Sequence, residues 1–342
     1  MRRCPGDAPT ARAGRRVTRL AAIDCGTNSI RLLVVDAVGP GEQRLLEVDR
    51  RMLIVRLGEG VDRTGRLSAA ALARTFEGCE VFAGVLAQLR PDRLRFVATS
   101  ATRDAANAAE FAAGVRARLG MNPQVVSGGE EAALSFAGAV AGLPSGTVDP
   151  LLVVDIGGGS TEFVTGPAAG ADTVGPAPGS TAPVPVRGFS ADVGCMRLTE
   201  RHLHSDPPTA QEVARATAEV GGALDAATAA VDLAAARTLV GLAGSVTTVA
   251  AAVLGRGRDD PASVHHARLP LDRVAAACDR LLGMTRAERA ALPFLHPGRV
   301  DVIGAGALVL RAVCTRVGPH LAVPELLVSE HDILDGIAMS LR

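Results

Sequence analysis

One short segment of this chain is written twice. Ile23-Asp24-Cys25-Gly26-Thr27-Asn28-Ser29 returns as Val154-Asp155-Ile156-Gly157-Gly158-Gly159-Ser160, with Asp, Gly and Ser at matching offsets and no gap. Apolar runs precede both copies (Leu20-Ala21-Ala22-Ile23 and Leu151-Leu152-Val153-Val154) and follow them (residues 30–35, and Phe163-Val164). Each copy therefore reads as strand, tight acidic turn, strand. A chain built on two such units is constrained to two lobes that present their turns to each other.

The residue types in the turns suggest what lies between them. Glycine lets backbone N–H groups approach a ligand closely, and successive N–H groups in a turn form a concave anion site. Thr27, Ser29, Ser160 and Thr161 add hydroxyl donors. Asp24 and Asp155 would repel an anion alone, but a hard divalent cation reconciles them: Mg²⁺ (or Mn²⁺) takes one or two carboxylates together with phosphate oxygens and water. A single Asp-Gly turn only closes a β-hairpin; two at matched offsets point to a phosphate chain held between them.

Composition narrows the choice. With 342 residues, 48% of them hydrophobic, there is material for two domains of ordinary size. Tyr and Trp are absent and Phe numbers eight, so stacking on bases is scarce and a single-stranded nucleic-acid partner is disfavoured. All 36 basic residues are arginine, which excludes a P-loop and lysine Schiff-base chemistry. Arginine suits bidentate phosphate recognition. Zero net charge argues against broad capture of nucleic acid. The six cysteines are scattered with no C-x-x-C pair, as in a reduced, cytoplasmic protein. No apolar run reaches membrane-spanning length. Residues 1–16 are basic without a following apolar stretch, and read as a disordered leader or a misassigned start rather than a secretory signal.

Periodicity predicts helices over 68–89, 105–119 and 130–143 and strands over 93–98 and 124–126, an α/β alternation. This first lobe covers 17–140. A second, 141–329, opens with a strand over 151–156 and contains a Gly/Pro/Ala-rich excursion over 166–185. Helices are predicted over 195–204, 209–230, 245–253, 271–283 and 300–317, with strands over 237–242 and 325–328. A last helix, 330–341, is expected to cross back and join the first lobe.

Several segments together resemble the exopolyphosphatase / guanosine pentaphosphate phosphohydrolase family, within the actin-like ATPase superfamily. They are the two repeats extended to Arg31 and Glu162, Ala98-Thr99-Ser100-Ala101-Thr102-Arg103-Asp104, Ser127-Gly128-Gly129-Glu130-Glu131-Ala132, Gly194-Cys195-Met196-Arg197-Leu198-Thr199, Gly241-Leu242-Ala243-Gly244-Ser245 and Arg299-Val300-Asp301-Val302-Ile303-Gly304. The resemblance implies two ribonuclease-H-like lobes with an interlobe cleft, and metal-dependent hydrolysis of a terminal phosphoanhydride. It places Glu131 on the catalytic glutamate, Asp155 on a residue handling metal or water, and Arg103 on a phosphate-contacting arginine. The chain resembles short, two-domain members, and lacks the arginine that often precedes Gly336 in others.

On this reading Glu131 and Asp155 are catalytic, and Asp24, Asp155 and Glu162 are candidates for the metal. Gly26, Thr27, Asn28, Ser29, Gly157, Gly158, Gly159 and Ser160 cradle phosphate, with Arg103 further along the chain. Gly244 and Ser245 open a helix whose N-terminus suits an anion or is simply capped by Ser245. Glu130 also complements a helix dipole. Arg31 and Glu162 hold equivalent offsets and either pair across the cleft or meet ligand; Arg197 and Arg299 either line a phosphate groove or are solvated. His202 and His204 stand i, i+2 on a helix and share no ligand. The expected substrate is inorganic polyphosphate or, alternatively, guanosine pentaphosphate. An actin-like kinase and a silent polyphosphate or alarmone sensor are the other readings, and a homodimer is allowed.

Overall fold

The computed structural model describes residues 17–39, 44–168, 186–256 and 264–342. Residues 1–16 and most of the 166–185 stretch lie outside them. The first repeat becomes a hairpin of β1 (Thr18–Cys25) and β2 (Ser29–Val38), continued by β3 (Arg44–Ile54). There follow α1 (Val61–Thr64), α2 (Ala69–Leu89), β4 (Arg93–Ala98), α3 (Ser100–Arg103), α4 (Ala108–Leu119), β5 (Gln124–Val125) and α5 (Gly128–Val140). The second repeat becomes β6 (Leu151–Ile156) and β7 (Thr161–Gly166), then β8 (Arg187–Ala191), α6 (Cys195–His202), α7 (Ala210–Ala230), β9 (Thr238–Leu242) and α8 (Ala243–Leu254). The chain closes with β10 (Arg268–Pro270), α9 (Leu271–Gly283), α10 (Arg286–Ala290), α11 (Ile303–Val317), β11 (Glu325–Val328) and α12 (Ile333–Met339).

The repeat extends to topology. The first sheet runs β3-β2-β1-β4-β5; the second runs β8-β7-β6-β9-β11, the same order, with β10 added at its edge. In both, the hairpin and third strand are antiparallel and the remaining two of the five run parallel to the hairpin's first strand. This duplicated order is the two-lobed ribonuclease-H-like, actin-like arrangement that the resemblance implied.

Alternation along the central strands explains the layers. Ala21 and Ile23 of β1 face α2 and α4 in a core with Phe82, Phe96 and Phe111, while Leu20 and Ala22 face Ile333, Leu334 and Ile337 of α12. In β6, Leu152 and Val154 face the large helical layer of the second lobe, and Leu151 and Val153 face Ala132, Phe136 and Ala139 of α5. α5, which precedes the second lobe in the chain, thus covers the second sheet, and α12, which follows it, covers the first. The two helices touch where neither has a side chain: a Cβ on Gly138 would stand 1.9 Å from the Asp332 carbonyl, and one on Gly336 2.0 Å from the Leu134 carbonyl. Only glycine permits so close an approach.

Element boundaries differ from periodicity where side chains take over backbone bonding. The 130–143 helix starts at Gly128, because the Ser127 hydroxyl accepts from Glu130 N. The 105–119 helix starts at Ala108; the Asn107 side chain instead bonds both backbone groups of Leu67. The 330–341 helix shortens to α12, capped by Asp332 with a capping box to Asp335. β3 was not anticipated, since its charged, largely exposed residues hide the alternation.

Candidate active site

The two turns are closed identically. Gly26 N donates to Ser29 O at 2.9 Å, and Gly157 N to Ser160 O at 3.0 Å. Their carbonyls are then tied from behind. In the first turn, Gly58 N donates to Thr27 O, and Val55 N and Arg56 N both donate to Asn28 O. In the second, the first turn of α6 does this: Cys195 N donates to Gly157 O, and Met196 N and Arg197 N donate to Gly158 O. A trans peptide points its N–H opposite its C=O. Fixing these carbonyls therefore turns the N–H groups of Asn28 and Ser29, and of Gly158 and Gly159, away from the tying segments. This is the arrangement from which an anion nest is made.

The turns are also in contact with each other. A Cβ on Gly158 would stand 2.9 Å from Thr27 Cβ, and one on Gly159 2.6 Å from Ser100 Oγ. Thr27 Oγ1 and Ser100 Oγ share a hydrogen bond of 2.8 Å.

A cavity of about 100 Å³ opens beside this contact. Its wall includes Asp24, Gly26, Thr27, Asn28, Ser29, Glu131, Asp155, Gly157, Gly158, Ser160, Glu162, Gly244 and Ser245. Two of the sequence candidates stand outside it. Gly159 faces the opposite side, where its carbonyl accepts from Arg197 Nε at 2.7 Å. Arg103 lies behind Glu131: its Nη1 donates to Glu131 Oε2 and to Val126 O, each at 3.0 Å. Cys195, Arg299 and Ile333 join the wall.

Four carboxyl groups, Asp24, Glu131, Asp155 and Glu162, are each at most 7% exposed. Burial, against the pull of Arg103, lifts Glu131 from 4.5 to about 7, and the nearby Asp155 and Asp24 add to the rise. Burial and the charge of Asp332 lift Asp155 from 3.8 to about 6, although Ser135 Oγ donates to its Oδ2 at 2.7 Å. Burial beside Glu131 and Asp155 pushes Glu162 well above the usual carboxylate range; Ser190 Oγ donates to its Oε1. Burial also raises Asp24, against Arg31.

Arg31 does not reach Glu162. The antiparallel registers place Arg31 opposite Asp24 and Glu162 opposite Asp155, each across its own hairpin. Arg31 donates Nε and Nη2 to Asp24 Oδ2 at 3.0 and 2.6 Å, and Nη1 to Asp332. Asp332 gave no signal in the sequence, being 301 positions from its partner. Arg299 has a different setting: its guanidinium donates to Gly244 O at 3.4 Å and Met52 Sδ at 3.5 Å, and no described carboxylate stands at ion-pair distance.

The donor set fits a hard divalent cation. Asp24 Oδ1 is buried without a hydrogen-bond partner, and Asp155 lines the same cavity. Among the described residues no three His, Cys, Asp or Glu side chains are grouped closely enough to cage an ion. Mg²⁺ is usually bound through one or two carboxylates plus waters and substrate phosphates. Among the described residues no helix is long and apolar enough to cross a membrane.

Comparison with known proteins agrees with this geometry. The chain is 48% identical over 332 residues to Exopolyphosphatase 2 of Mycobacterium tuberculosis, covering 95% of this chain and 99% of that one. The crystal structure of an exopolyphosphatase-like protein superposes with a TM-score of 0.87 at 41% identity, covering 95% and 98% of the two chains. The Ppx/GppA protein of Aquifex aeolicus superposes with a TM-score of 0.72 at 27% identity, covering 95% and 98%. The sequence pattern of the Ppx/GppA phosphatase family matches residues 34–340, and the chain belongs to that family.

Proposed function

We propose that this protein is an exopolyphosphatase, releasing phosphate from the end of inorganic polyphosphate by hydrolysis of the terminal anhydride. The observation that carries the reading is the buried Glu131, lifted to about 7, in a cavity walled by two matched anion-binding turns. The similarity to Exopolyphosphatase 2 supports it.

Glu131 acts as general base. A base with a pKa near the working pH combines adequate strength with an adequate ionised fraction. Arg103 holds one of its oxygens, so the other is left to orient the attacking water. The terminal phosphoryl group rests against the N–H groups and hydroxyls of the two turns; in-line displacement at phosphorus is mostly such positioning and charge stabilisation. Arg299, free of a carboxylate, takes phosphate oxygens beside Gly244 and Ser245 at the start of α8. Asp24 and Asp155 would hold Mg²⁺ or Mn²⁺, which when bound offsets charge on the transferring group.

The cavity is open to solvent on one side, so a chain of phosphoryl groups can extend out of it. Its wall contains no aromatic side chain. With no ring for a guanine to stack on, the wall favours polyphosphate over guanosine pentaphosphate. A phosphate-release assay on polyphosphates of graded length and on guanosine pentaphosphate, with and without Mg²⁺, tests the reading. We expect the higher kcat/KM on polyphosphate. Polyphosphate that binds but is never cleaved would leave a sensor, and a higher kcat/KM on guanosine pentaphosphate would reassign the substrate.

A further inference from the structure

Behind the contact of the two turns, on the side away from the cavity, lies a second set of charges. Arg197 of α6 donates Nε to Gly159 O at 2.7 Å, Nη1 to Asp62 at 2.9 Å and Nη2 to Asp104 at 2.5 Å. The first partner is the second-lobe turn itself. The other two belong to the first lobe: Asp62 lies in α1, and Asp104 closes α3, whose Ser100 touches the second turn. One planar guanidinium thus joins three groups from both sides of the lobe boundary. Its side chain is only 13% exposed, so the ion pairs are sheltered from water.

The neighbours reinforce the junction without touching the turn. Arg201 donates to Asp62 at 2.6 Å and also pairs with Glu219, and Glu200 accepts from Gly60 N. Among the described side chains, Arg197 alone hydrogen-bonds both this turn and the opposite lobe. Arginine is suited to this, because its rigid fork directs several donors at once, which an ammonium on a flexible stem does not.

We propose that Arg197 is a positioning residue: it clamps the 157–160 turn to Asp62 and Asp104, so the two anion-binding turns reach working separation only when this junction is made. The proposal rests on the phosphatase reading. Arg197 touches no reacting atom. It acts through the peptide joining Gly159 to Ser160, whose carbonyl it fixes and whose Ser160 N–H points the other way, and a misplacement of about 1 Å in such a site costs on the order of a hundredfold in rate.

The test compares full-length Arg197→Gln, Arg197→Lys, Asp104→Asn and Arg201→Gln with wild type, by steady-state kinetics on polyphosphate and by hydrogen exchange at the Gly158, Gly159 and Ser160 amides without substrate. Arg197→Gln is expected to lower kcat about a hundredfold, with KM moving far less, and to speed exchange at the turn about tenfold. Arg197→Lys restores charge without the fork and recovers little. Asp104→Asn alters only the first-lobe side, so it checks the junction even if Arg197→Gln folds poorly. Arg201→Gln loses the same Asp62 contact but never met the turn, and keeps kcat within about fivefold. Equal losses in Arg197→Gln and Arg201→Gln, full rescue by lysine, or slower turnover without faster exchange would each overturn the proposal. If wild type itself releases no phosphate, the phosphatase reading falls, while the exchange data still report whether Arg197 holds the turn.

Discussion

The two hairpins share strand order, turn closure and the tying of carbonyls from behind, yet differ in charge at the residue paired with the turn aspartate. Opposite Asp24 stands Arg31; opposite Asp155 stands Glu162. In the first hairpin the carboxylate has a cation, which in turn is fastened to Asp332 at the start of α12. In the second hairpin like meets like: burial raises all three acids, Glu131 and Asp155 push Glu162 up further, Asp155 and Asp24 add to the rise of Glu131, and Asp332 and Asp24 add to that of Asp155. One backbone plan has been given two electrostatic tasks. The first turn is an anchored wall that ties the cavity to the lobe crossing. The second, with α5, holds groups whose protons are exchangeable near neutral pH.

The largest effect that would break this division is on Glu131. Glu131→Gln keeps the size of the side chain and its place beside Arg103 but removes the base. Turnover should fall by about a hundredfold to ten-thousandfold, while equilibrium binding of polyphosphate is retained. Matched rates for mutant and wild type in a single-turnover assay would move the acid–base task elsewhere.

The next contrast sets the two turn aspartates against each other. Asp24→Asn takes a partner from Arg31 in a buried pair, a change that typically costs about 3–5 kcal/mol of stability when one partner is removed. Asp155→Asn relieves burial of a charge and repulsion from Asp332 and Asp24, and should leave stability level or raised while activity drops. Urea melts of both variants decide the matter, and a larger loss for Asp155→Asn would reverse the assignment of anchor and reactive half.

A third expectation concerns pH. Glu131 and Asp155 bind protons more tightly folded than unfolded, since burial lifts them from 4.5 to about 7 and from 3.8 to about 6. Stability contributed by this proton uptake is complete at low pH and is lost as pH rises toward about 7. Activity should move oppositely, rising through about 7 as Glu131 ionises. Because the acids interact, the observed midpoints belong to the cluster and not to single residues. Calorimetry of the metal-free protein and a pH–rate profile, taken together, should show these opposed slopes, and Glu131→Gln should flatten both.

The smallest effect is expected at Glu162. Burial pushes its carboxyl well above the usual range, which favours the neutral form, and Glu162→Gln puts a neutral group of similar shape in its place. The melting temperature of the metal-free protein at pH 7 should hardly change. A marked shift would mean that Glu162 is charged there and that the contrast with Arg31 is a contrast of opposite charges.

Much of the frame was legible because it rests on local pattern. The duplicated turn located β1, β2, β6 and β7, and helical spacing found α2, α7 and α9 to within a residue or two. The cavity's two turns were read correctly as facing one another, since repeated units of one fold present equivalent edges. Pairings across long separations were not legible. Equal offsets of Arg31 and Glu162 suggested an ion pair between the lobes, but an antiparallel register binds each to its own strand partner first. Arg103, expected on phosphate, donates to Glu131, and Arg197, expected in a groove or in solvent, joins Gly159 to Asp62 and Asp104. Charge and residue type name what a side chain can bind; only the packing of distant elements decides which partner arrives.

The crossing of α5 and α12 has one further consequence. The chain leaves the first lobe through α5 and returns through α12, so both covalent links run through the point where Gly138 and Gly336 bring the backbones together. Two strands of a door joined only at the jamb can swing but cannot slide. Any relative motion of the lobes would therefore turn about that narrow axle, with its amplitude greatest at the rim far from the glycines.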